Sequence, residues 1–475
     1  MESTRRTFLA QTAVAAGTVL LAAPVRAQSN GDKVFTPEMF GAKGDGTTND
    51  SRAMKMLADA VSINGGGVVE FRRTTYLVGG QNPAVRADAS YAFEPVRLLA
   101  FHGCRGPLII RGNGARLKCA PGLRYGVFDP SGAPRVRPMP YMGPGIASPY
   151  RHMISVEHCT GPVEVADVEL DGSVGSLQIG GGWGDTGWQI PAIGLALLDN
   201  SGDELVRNVH SHHHGQDGLY IDGVVAPSAA RRLIAGVRAD ANGRQGCSIV
   251  GGHGYRFENC TFSRTGRSAV SSSPGAGVDI EAEGGKTIRN VAFSGCSFVD
   301  NAGCGLVADT GDSASVQFEK CRFVGTTNWS AWPNKPRFRF NGCTFAGALA
   351  RAYGDADPSR AAQFVGCTFT DDPALSPTKR LYGGTNTDRP LADLSDAANM
   401  LFAHCTFLAT HDAVLPWSYR AIYQDCRMEQ SSPNYAFPRG RFLGRTTISG
   451  PVNLTGSNVV GEVIANGKRY AGQRL

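Results

Sequence analysis

The segment GVDIEAEGG, residues 277–285, places two carboxylates two positions apart. On a β-strand alternate side chains point to the same side, so Asp279 and Glu281 would face one way and Val278 and Ile280 the other. When two carboxyl groups share a face, one can act as a general acid and the other as a general base. Solvated acids on a sheet surface produce the same pattern, so the interpretation depends on the elements that carry the pair.

Five segments share the pattern of this strand, and each begins with glycine: GLALL (194–198), GLYID (218–222), GCSIV (246–250), GVDIE (277–281) and GLVAD (305–309). Their second and fourth positions are apolar and are predicted to face inward. In one parallel sheet the third and fifth positions form an outer grid that holds Asp222, Asp279, Glu281 and Asp309. The grid steps are about 6.7 Å along a strand and about 4.8 Å between strands. Crowded carboxylates raise the pKa of one of them, as a general acid requires.

The turns before these strands, HSHHHGQDG (210–218) and NGRQG (242–246), supply further polar groups. We predict Asp279, Glu281 and Asp222 as acid/base residues, assisted by Arg244 and His214. The residues predicted to bind substrate are Tyr220, Asp217, His212, Gln245, Asp309, Trp183 and Trp188. In strand geometry His212 and His214 share a face that His213 does not, so hydrogen bonding is favoured over metal binding and no metal ion is expected.

The twelve cysteines indicate the fold that positions these residues. Seven of them follow one template, an aromatic residue, two residues, Cys, one residue and then Phe or Met: Cys260, Cys296, Cys321, Cys343, Cys367, Cys405 and Cys426. Most of these cysteines lie 21–25 residues from the next one, and a repeat of this length is typical of a solenoid. Inward Phe and Cys side chains would stack from coil to coil, so we predict buried thiols and not disulfides. The pattern predicts an all-β chain, a parallel β-helix with three strands per coil.

The first residues, MESTRRTFLAQTAVAAGTVLLAAPVRAQSN, resemble a bacterial export signal. Arg5 and Arg6 precede a mildly apolar run, and Val25-Arg26-Ala27 is similar to a cleavage site. We therefore predict a twin-arginine signal peptide over 1–27 and a periplasmic or secreted protein, with a short membrane anchor as the alternative. Removal of residues 1–27 lowers the formal charge from +6 to +4. This charge slightly favours an acidic polymer as partner, and no lysine-rich run suggests nucleic acid.

Residues 39–78 carry a more specific signal, which consists of FGAKGDG, Asn49-Asp50 at a helix start, an amphipathic run and GGGVVEF. The run places Ala53, Met56, Leu57 and Ala60 on one face. This segment resembles the N-terminal cap of the pectate-lyase-like superfamily, as in rhamnogalacturonases and related hydrolases, lyases and epimerases. The resemblance implies a right-handed parallel β-helix that acts on polysaccharide, with a short helix covering one open end.

The resulting domain prediction is a cap over 35–80, a β-helix over 81–430 with groove strands at 194–309, and C-terminal strands over 431–475 that cover the far end. The motifs of the polygalacturonase branch are not in register: Gly252-His253-Gly254 does not lead a groove strand. We therefore do not carry over the catalytic residues of that branch.

The predicted function is hydrolysis of a uronate-containing polysaccharide through paired carboxylates, without a cofactor. One alternative is β-elimination, with Arg244, His214 or Tyr220 as the base and calcium as a possible cofactor. The other alternative is a non-catalytic carbohydrate-binding protein. The oligomeric state is left open.

Overall fold

The computed structural model describes residues 33–85, 91–135, 146–181 and 190–475. The predicted signal peptide, Trp183 and Trp188 lie outside these residues. The described chain winds into a right-handed parallel β-helix, as predicted, in which the strands of each face pair with their equivalents one coil away. In the described ranges, no helix combines the length and the apolar character needed to cross a membrane.

The strands lie on three faces, and the groove face carries the predicted acidic grid. Its strands are Leu99–His102, His152–Glu157, Ile193–Leu198, Asp217–Asp222, Gln245–His253, Ala276–Ile280, Leu306–Ala308 and Trp332–Pro333. All of them pair in parallel with their neighbours in this order. Residues far apart in sequence therefore become neighbours across the face.

The aromatic face and the cysteine face are named after the residues they carry in the repeat. The aromatic face contains Val34–Phe35, Gly67–Glu70, Glu204–Arg207, Arg232–Ala235, Tyr255–Glu258, Thr287–Ser294, Asp312–Glu319, Arg339–Asn341, Gln363–Val365, Ala392–Ala403, Trp417–Gln424, Pro438–Leu443 and Asn458–Ala465. The cysteine face contains Thr75–Val78, His210–His212, Arg238–Asp240, Thr261–Ser263, Ser297–Val299, Arg322–Val324, Thr344–Ala346, Thr368–Thr370, Thr406–Ala409, Arg427–Gln430 and Arg445–Ser449. Two long strands bend across both faces, Leu108–Cys119 and Val163–Asp171.

The remaining elements are short. They are the helix Ser51–Asn64, the 3-10 turns Pro37–Phe40, Val174–Ser176 and Pro373–Leu375, and the strands Gln81–Val85, Tyr91–Pro95, Arg124–Val127, Ile146–Ala147, Gln178–Gly180, Leu349–Ala350 and Lys468–Arg474. The last strand runs antiparallel to Asn458–Ala465. Parallel pairing between coils continues beyond residue 430, since Pro438–Leu443 pairs with Trp417–Gln424.

Two rows of aromatic rings fill the interior, as the repeat predicts. One row runs from Phe257 to Phe442 with ring centroids 4.4–5.4 Å apart from coil to coil. The second row runs from Phe262 to Phe407 with centroids 4.5–5.5 Å apart. Neighbouring rings in these rows are close to parallel. The offset stacking of large apolar rings stabilises the coils beyond the burial of their area alone.

The cysteines are all buried and free, which confirms the prediction that they are not bridged. All seven thiols of the template donate to a backbone oxygen of the coil before them. For example, Cys343 Sγ donates to the backbone oxygen of Phe318 at 3.5 Å, and Cys367 Sγ donates to that of Phe340 at 3.4 Å. A small apolar side chain with a weak donor therefore satisfies a carbonyl at the bend between two faces.

The glycines that begin the groove strands allow the coils to approach closely. A Cβ atom on Gly246 would lie 2.5 Å from the carbonyl oxygen of Gly277, and one on Gly277 would lie 2.6 Å from that of Gly305. Contacts this short exclude any side chain. The repeated glycine thus fixes where each groove strand begins and keeps the five strands in register.

The helix Ser51–Asn64 contacts the strand Leu99–His102, and its buried side chains join the main core. The predicted inner face is partly wrong. Met54 is fully buried whereas Met56 is 42% exposed, because the buried stripe is Ala53, Met54, Leu57, Ala58 and Val61. The spacing of three and four residues starts at Met54, one residue later than the predicted start at Ala53.

Candidate functional site

The register of the groove face agrees with the predicted alignment at its first four positions. Leu195, Leu219, Cys247, Val278 and Leu306 pair in one inward row, all buried in the core. The neighbouring outward row is Ala196, Tyr220, Ser248, Asp279 and Val307. This row is polar in its middle, and it forms the floor of the site.

The fifth position departs from the prediction because the ladder contains a bulge. Asp222 pairs with Gly251 and not with Val250, after an irregularity between Ile221 and Asp222. The Asp222 carboxylate accepts a hydrogen bond of 2.6 Å from Lys286 Nζ, which also lies 3.0 Å from Asp199. Asp222 is therefore engaged in an ion pair beside the site, and its predicted acid/base role is not retained.

A cavity of about 490 Å³ opens over the outward row. Its charged and polar lining includes Arg244, Asp279, Glu281, Asp309 and Thr310, and Trp332 lies on its wall. We call it the acidic cavity. Four residues predicted from the sequence, one arginine and three carboxylates, are thus brought to a single concave surface.

Asp279 lies at the base of this cavity with only 5% of its surface exposed. Gln245 Nε2 donates a hydrogen bond of 2.8 Å to its Oδ2. Burial raises the pKa of Asp279 well above its usual range. The nearby carboxylates of Glu281, Asp217 and Asp309 raise this pKa further, and the Arg244 charge lowers it by less than burial raises it. The environment therefore holds a proton on Asp279 at a pH where an ordinary aspartate is ionised.

Asp217 lies behind the acidic cavity and is fully buried. Its Oδ2 accepts a hydrogen bond of 2.9 Å from Ser248 and lies 3.8 Å from Arg244 Nη1. Among the described residues neither its Oδ1 nor the Nε of Arg244 has a hydrogen-bond partner. Burial raises the pKa of Asp217 to about 6, although Arg244 and Ser248 act in the opposite direction. Asp217, which was predicted to bind substrate, is therefore a second carboxyl group with a raised pKa, and it holds Arg244 over the site.

Glu281 and Asp309 are the more accessible carboxylates of the cavity. The Thr310 hydroxyl donates a hydrogen bond to Glu281 Oε1. Asp309 follows the next groove strand and is exposed. Glu283 was not predicted from the sequence; partial burial and the charge of Glu281 raise its pKa. The alternating spacing of Asp279, Glu281 and Glu283 could have indicated it, but the strand ends at Ile280.

The predicted histidines lie apart from the cavity. His214 is fully buried, with Nδ1 2.7 Å from the Tyr150 hydroxyl and Nε2 3.1 Å from the Leu170 carbonyl oxygen. Burial lowers its pKa to about 3. This ring is a neutral interior group, so its predicted role at the groove is wrong. His212 lies on the cysteine face beside Glu169, away from the groove strands.

Tyr220 is half-buried one strand from Ser248 on the outward row. Burial raises its pKa, and the carboxylates of Glu283, Asp222 and Asp217 add to this effect. A phenol with a raised pKa retains its proton, which suits a hydrogen-bond donor to a sugar and not a base.

Trp332 connects the acidic cavity to a second one of about 470 Å³, which Trp329, Arg351, Tyr353 and Asp393 also line. We call this the aromatic cavity. The Arg351 guanidinium carbon lies 5.7 Å from the Trp332 ring centre. The strand Trp332–Pro333 extends the groove face by one coil. Its spacing of 25 residues from Val307, one repeat period, was the available signal.

The part of the chain that carries the acidic cavity matches a known family model. Residues 192–347 match the family model described as a right-handed beta helix region. This range holds the five predicted groove strands and every charged residue named above as lining the acidic cavity.

A curated relative and two solved structures extend the comparison. The chain is 27% identical over 378 residues to a Klebsiella phage KN3-1 protein named depolymerase 1, capsule KN3-specific; the match covers 69% of this chain and 43% of the relative. The pre-mature bacteriophage phi29 gene product 12 gives a TM-score of 0.52 at 12% identity, over 93% of this chain and 58% of that one. Its N-terminal fragment gives 0.51 at 13% identity, over 93% and 73%. The two structures support the fold alone.

Proposed function

We propose that this chain cleaves an acidic polysaccharide by hydrolysis of a glycosidic bond in the acidic cavity. The observation that carries the proposal is the environment of Asp279. It is a buried carboxyl at the base of an open cavity, and burial and neighbouring carboxylates keep it protonated. A general acid for glycosidic cleavage needs this combination of access and raised pKa.

The residues of the cavity divide the roles in this reaction. Asp279 donates its proton to the oxygen of the leaving sugar. Glu281, which lines the same cavity and is more exposed, is the second carboxylate and activates water or attacks the sugar directly. Arg244, held by Asp217, binds a carboxylate of the substrate. Asp309 and Tyr220 contact hydroxyl groups of the substrate.

The substrate class is supported by two further observations. The relative in Klebsiella phage KN3-1 is named as a capsule depolymerase. In addition, the acidic and aromatic cavities adjoin at Trp332, so a groove longer than one sugar runs along the coils. An indole beside such a groove can stack on a sugar face, and Arg351 adds a second cation for an acidic chain.

Cleavage by β-elimination is the second candidate because Arg244 could neutralise a uronate carboxylate. That reaction also needs a base near the cavity. His214 is buried away from it, Tyr220 has a raised pKa, and Arg244 would already be engaged with the substrate carboxylate, so none of the three predicted bases is suited to remove a proton. Hydrolysis is therefore preferred. We also propose export through the twin-arginine signal at residues 1–27, which would deliver the folded enzyme to the periplasm or the medium.

The test is an activity screen on capsular and other uronate-containing polysaccharides. Hydrolysis produces new reducing ends without the ultraviolet absorbance of an unsaturated uronate, whereas elimination produces both. Asp279→Asn and Glu281→Gln should each lower kcat by about 10²–10⁴-fold. Asp222→Asn is the matched control, because its carboxylate faces Lys286, and it should change kcat by only a few-fold. Full activity of both cavity variants would refute the assignment, and binding without cleavage would favour a carbohydrate-binding protein.

A further inference from the structure

A separate group of histidines and carboxylates lies on the cysteine face. Parallel pairing sets Glu169 beside His210 and Asp171 beside His212, so four side chains form a two-by-two grid. Within this group Asp171, His212 and His213 each offer a ligand atom, and these atoms lie within 4.8 Å of one another. None of these residues is used by the proposed hydrolysis.

His212 makes a different contact with each of its ring nitrogens. Its Nε2 lies 3.1 Å from Glu169 Oε1. Its Nδ1 lies 2.7 Å from His213 Nδ1 and 3.7 Å from Asp171 Oδ1. When Nε2 carries the proton toward Glu169, Nδ1 has a free lone pair. Two imidazole nitrogens and a carboxylate oxygen then converge on one point.

The backbone and the neighbouring groups hold this arrangement in place. The strand ends at His212, and His213 adopts a left-handed conformation with φ 53°, which brings its ring back beside that of His212. The Asp171 carboxylate is fixed by the backbone N–H of Ser173 at 2.8 Å and by Arg116 at 2.5 Å. The side chains of His212 and Asp171 are only 9% and 4% exposed.

We propose that Asp171, His212 and His213 bind a divalent transition-metal ion of the zinc class. Two imidazoles and one carboxylate are ligands that Zn²⁺ prefers, at Zn–N distances of about 2.0–2.1 Å. An ion between the two Nδ1 atoms needs them to separate only slightly, to about 3.3 Å for tetrahedral geometry. Glu169 behind His212 completes the carboxylate–histidine–metal arrangement that orients such ligands.

This site departs from the expectation that no metal binds here. That expectation treated residues 212–214 as one strand, on which His213 points away from His212. The left-handed backbone at His213 reverses this orientation. The bound ion would tie the strand Val163–Asp171 to the turn that leads into Asp217–Asp222 of the groove face. The bound ion would thus stabilise the coil that carries Asp217.

The test is metal binding by the full chain after treatment with EDTA. Calorimetric titration with Zn²⁺ should give about one equivalent per chain, and Co²⁺ should give the visible absorption bands of a tetrahedral N/O site. His212→Ala and His213→Ala should abolish both signals, and Glu169→Gln should weaken affinity by about 10–100-fold. Circular dichroism of each metal-free variant separates lost binding from lost fold.

His411→Ala is the matched control, because His411 Nδ1 lies 3.6 Å from Asp371 on an exposed surface elsewhere. It should leave Zn²⁺ binding unchanged. Glu169, His210 and His212 form a rival trio, and His210 Nε2 is buried without a partner among the described residues. Loss of binding in His210→Ala with retention in His213→Ala would overturn our assignment. So would the absence of saturable Zn²⁺ binding by the wild-type chain.

Discussion

Gln245 Nε2 donates a hydrogen bond of 2.8 Å to Asp279 Oδ2 from the neighbouring strand of the groove face. The other end of the same amide accepts a hydrogen bond of 3.0 Å from the backbone N–H of Ala276. Both ends of Gln245 are therefore fixed, and the side chain is fully buried. Gln245 acts as a positioning residue, since it sets the orientation of Asp279 without lining the acidic cavity.

Gln245→Leu should lower kcat by about 10–100-fold, because Asp279 loses the contact that orients it. The lost bond favoured the ionised carboxylate, so the pKa of Asp279 should rise further and the basic limb of the pH–rate profile should move to higher pH. Gln317→Leu, at an exposed position of the aromatic face, is the control and should alter neither quantity. A lower kcat with an unmoved basic limb would indicate a purely structural role.

The cysteine template and the strand-initial glycines explain how much of the fold could be predicted from sequence. Each Phe of the repeat stacks on its own equivalent one coil away, and each Cys contacts the backbone of the coil before it, so the pattern itself indicates which strands pair. The glycine stack fixed the register of Asp279 in the same way. Features that repeat in sequence were therefore predictable, and these include the site residues on the outward row.

Features that depend on a single backbone irregularity or a distant partner were not predictable. The bulge after Ile221 moved Asp222 out of its expected row, and Lys286 then paired with it from 64 residues away. The left-handed turn at His213 likewise changed which histidines meet. Neither the bulge nor the left-handed turn produces a repeating pattern in the sequence, because each occurs in one coil only.

The charge of Asp309 should shift the pH dependence of the proposed polysaccharide cleavage. Its carboxylate is one of those that raise the pKa of Asp279. Asp309→Asn removes this charge, so the pKa of Asp279 should fall and the basic limb of kcat/KM should move to lower pH. The measurement is the pH profile of polysaccharide cleavage. Asp312→Asn, which only breaks an exposed pair with Arg289, should leave the profile in place; a shift of equal size there would contradict the prediction.

Asp217 should make the wild-type chain less stable as the pH rises. Its pKa is raised from 3.8 to about 6 in the folded chain, so its stabilising contribution is complete below the unfolded value and disappears as the pH passes 6. The variant Asp217→Asn has no titratable side chain at this position. Its free energy of unfolding, relative to wild type, should therefore increase by roughly 2–3 kcal/mol between about pH 4 and about pH 7. Denaturant titrations at both pH values measure this change, and a constant difference would exclude the assigned burial.

The aromatic rows should carry a large share of the stability of the coils. Phe340 is fully buried and stacks between Phe318 and Phe364 with both centroid distances at 4.7 Å. Phe340→Ala leaves a cavity that the neighbouring coils cannot close without losing their own stacking, so the free energy of unfolding should fall by about 3–5 kcal/mol. The matched control is Val365→Ala, at a 37% exposed position near Phe364, which should change it by about 0.5 kcal/mol or less. Guanidinium titrations followed by far-ultraviolet circular dichroism compare the two variants. An equal decrease in the free energy of unfolding would mean that the aromatic rows add nothing beyond ordinary strand pairing.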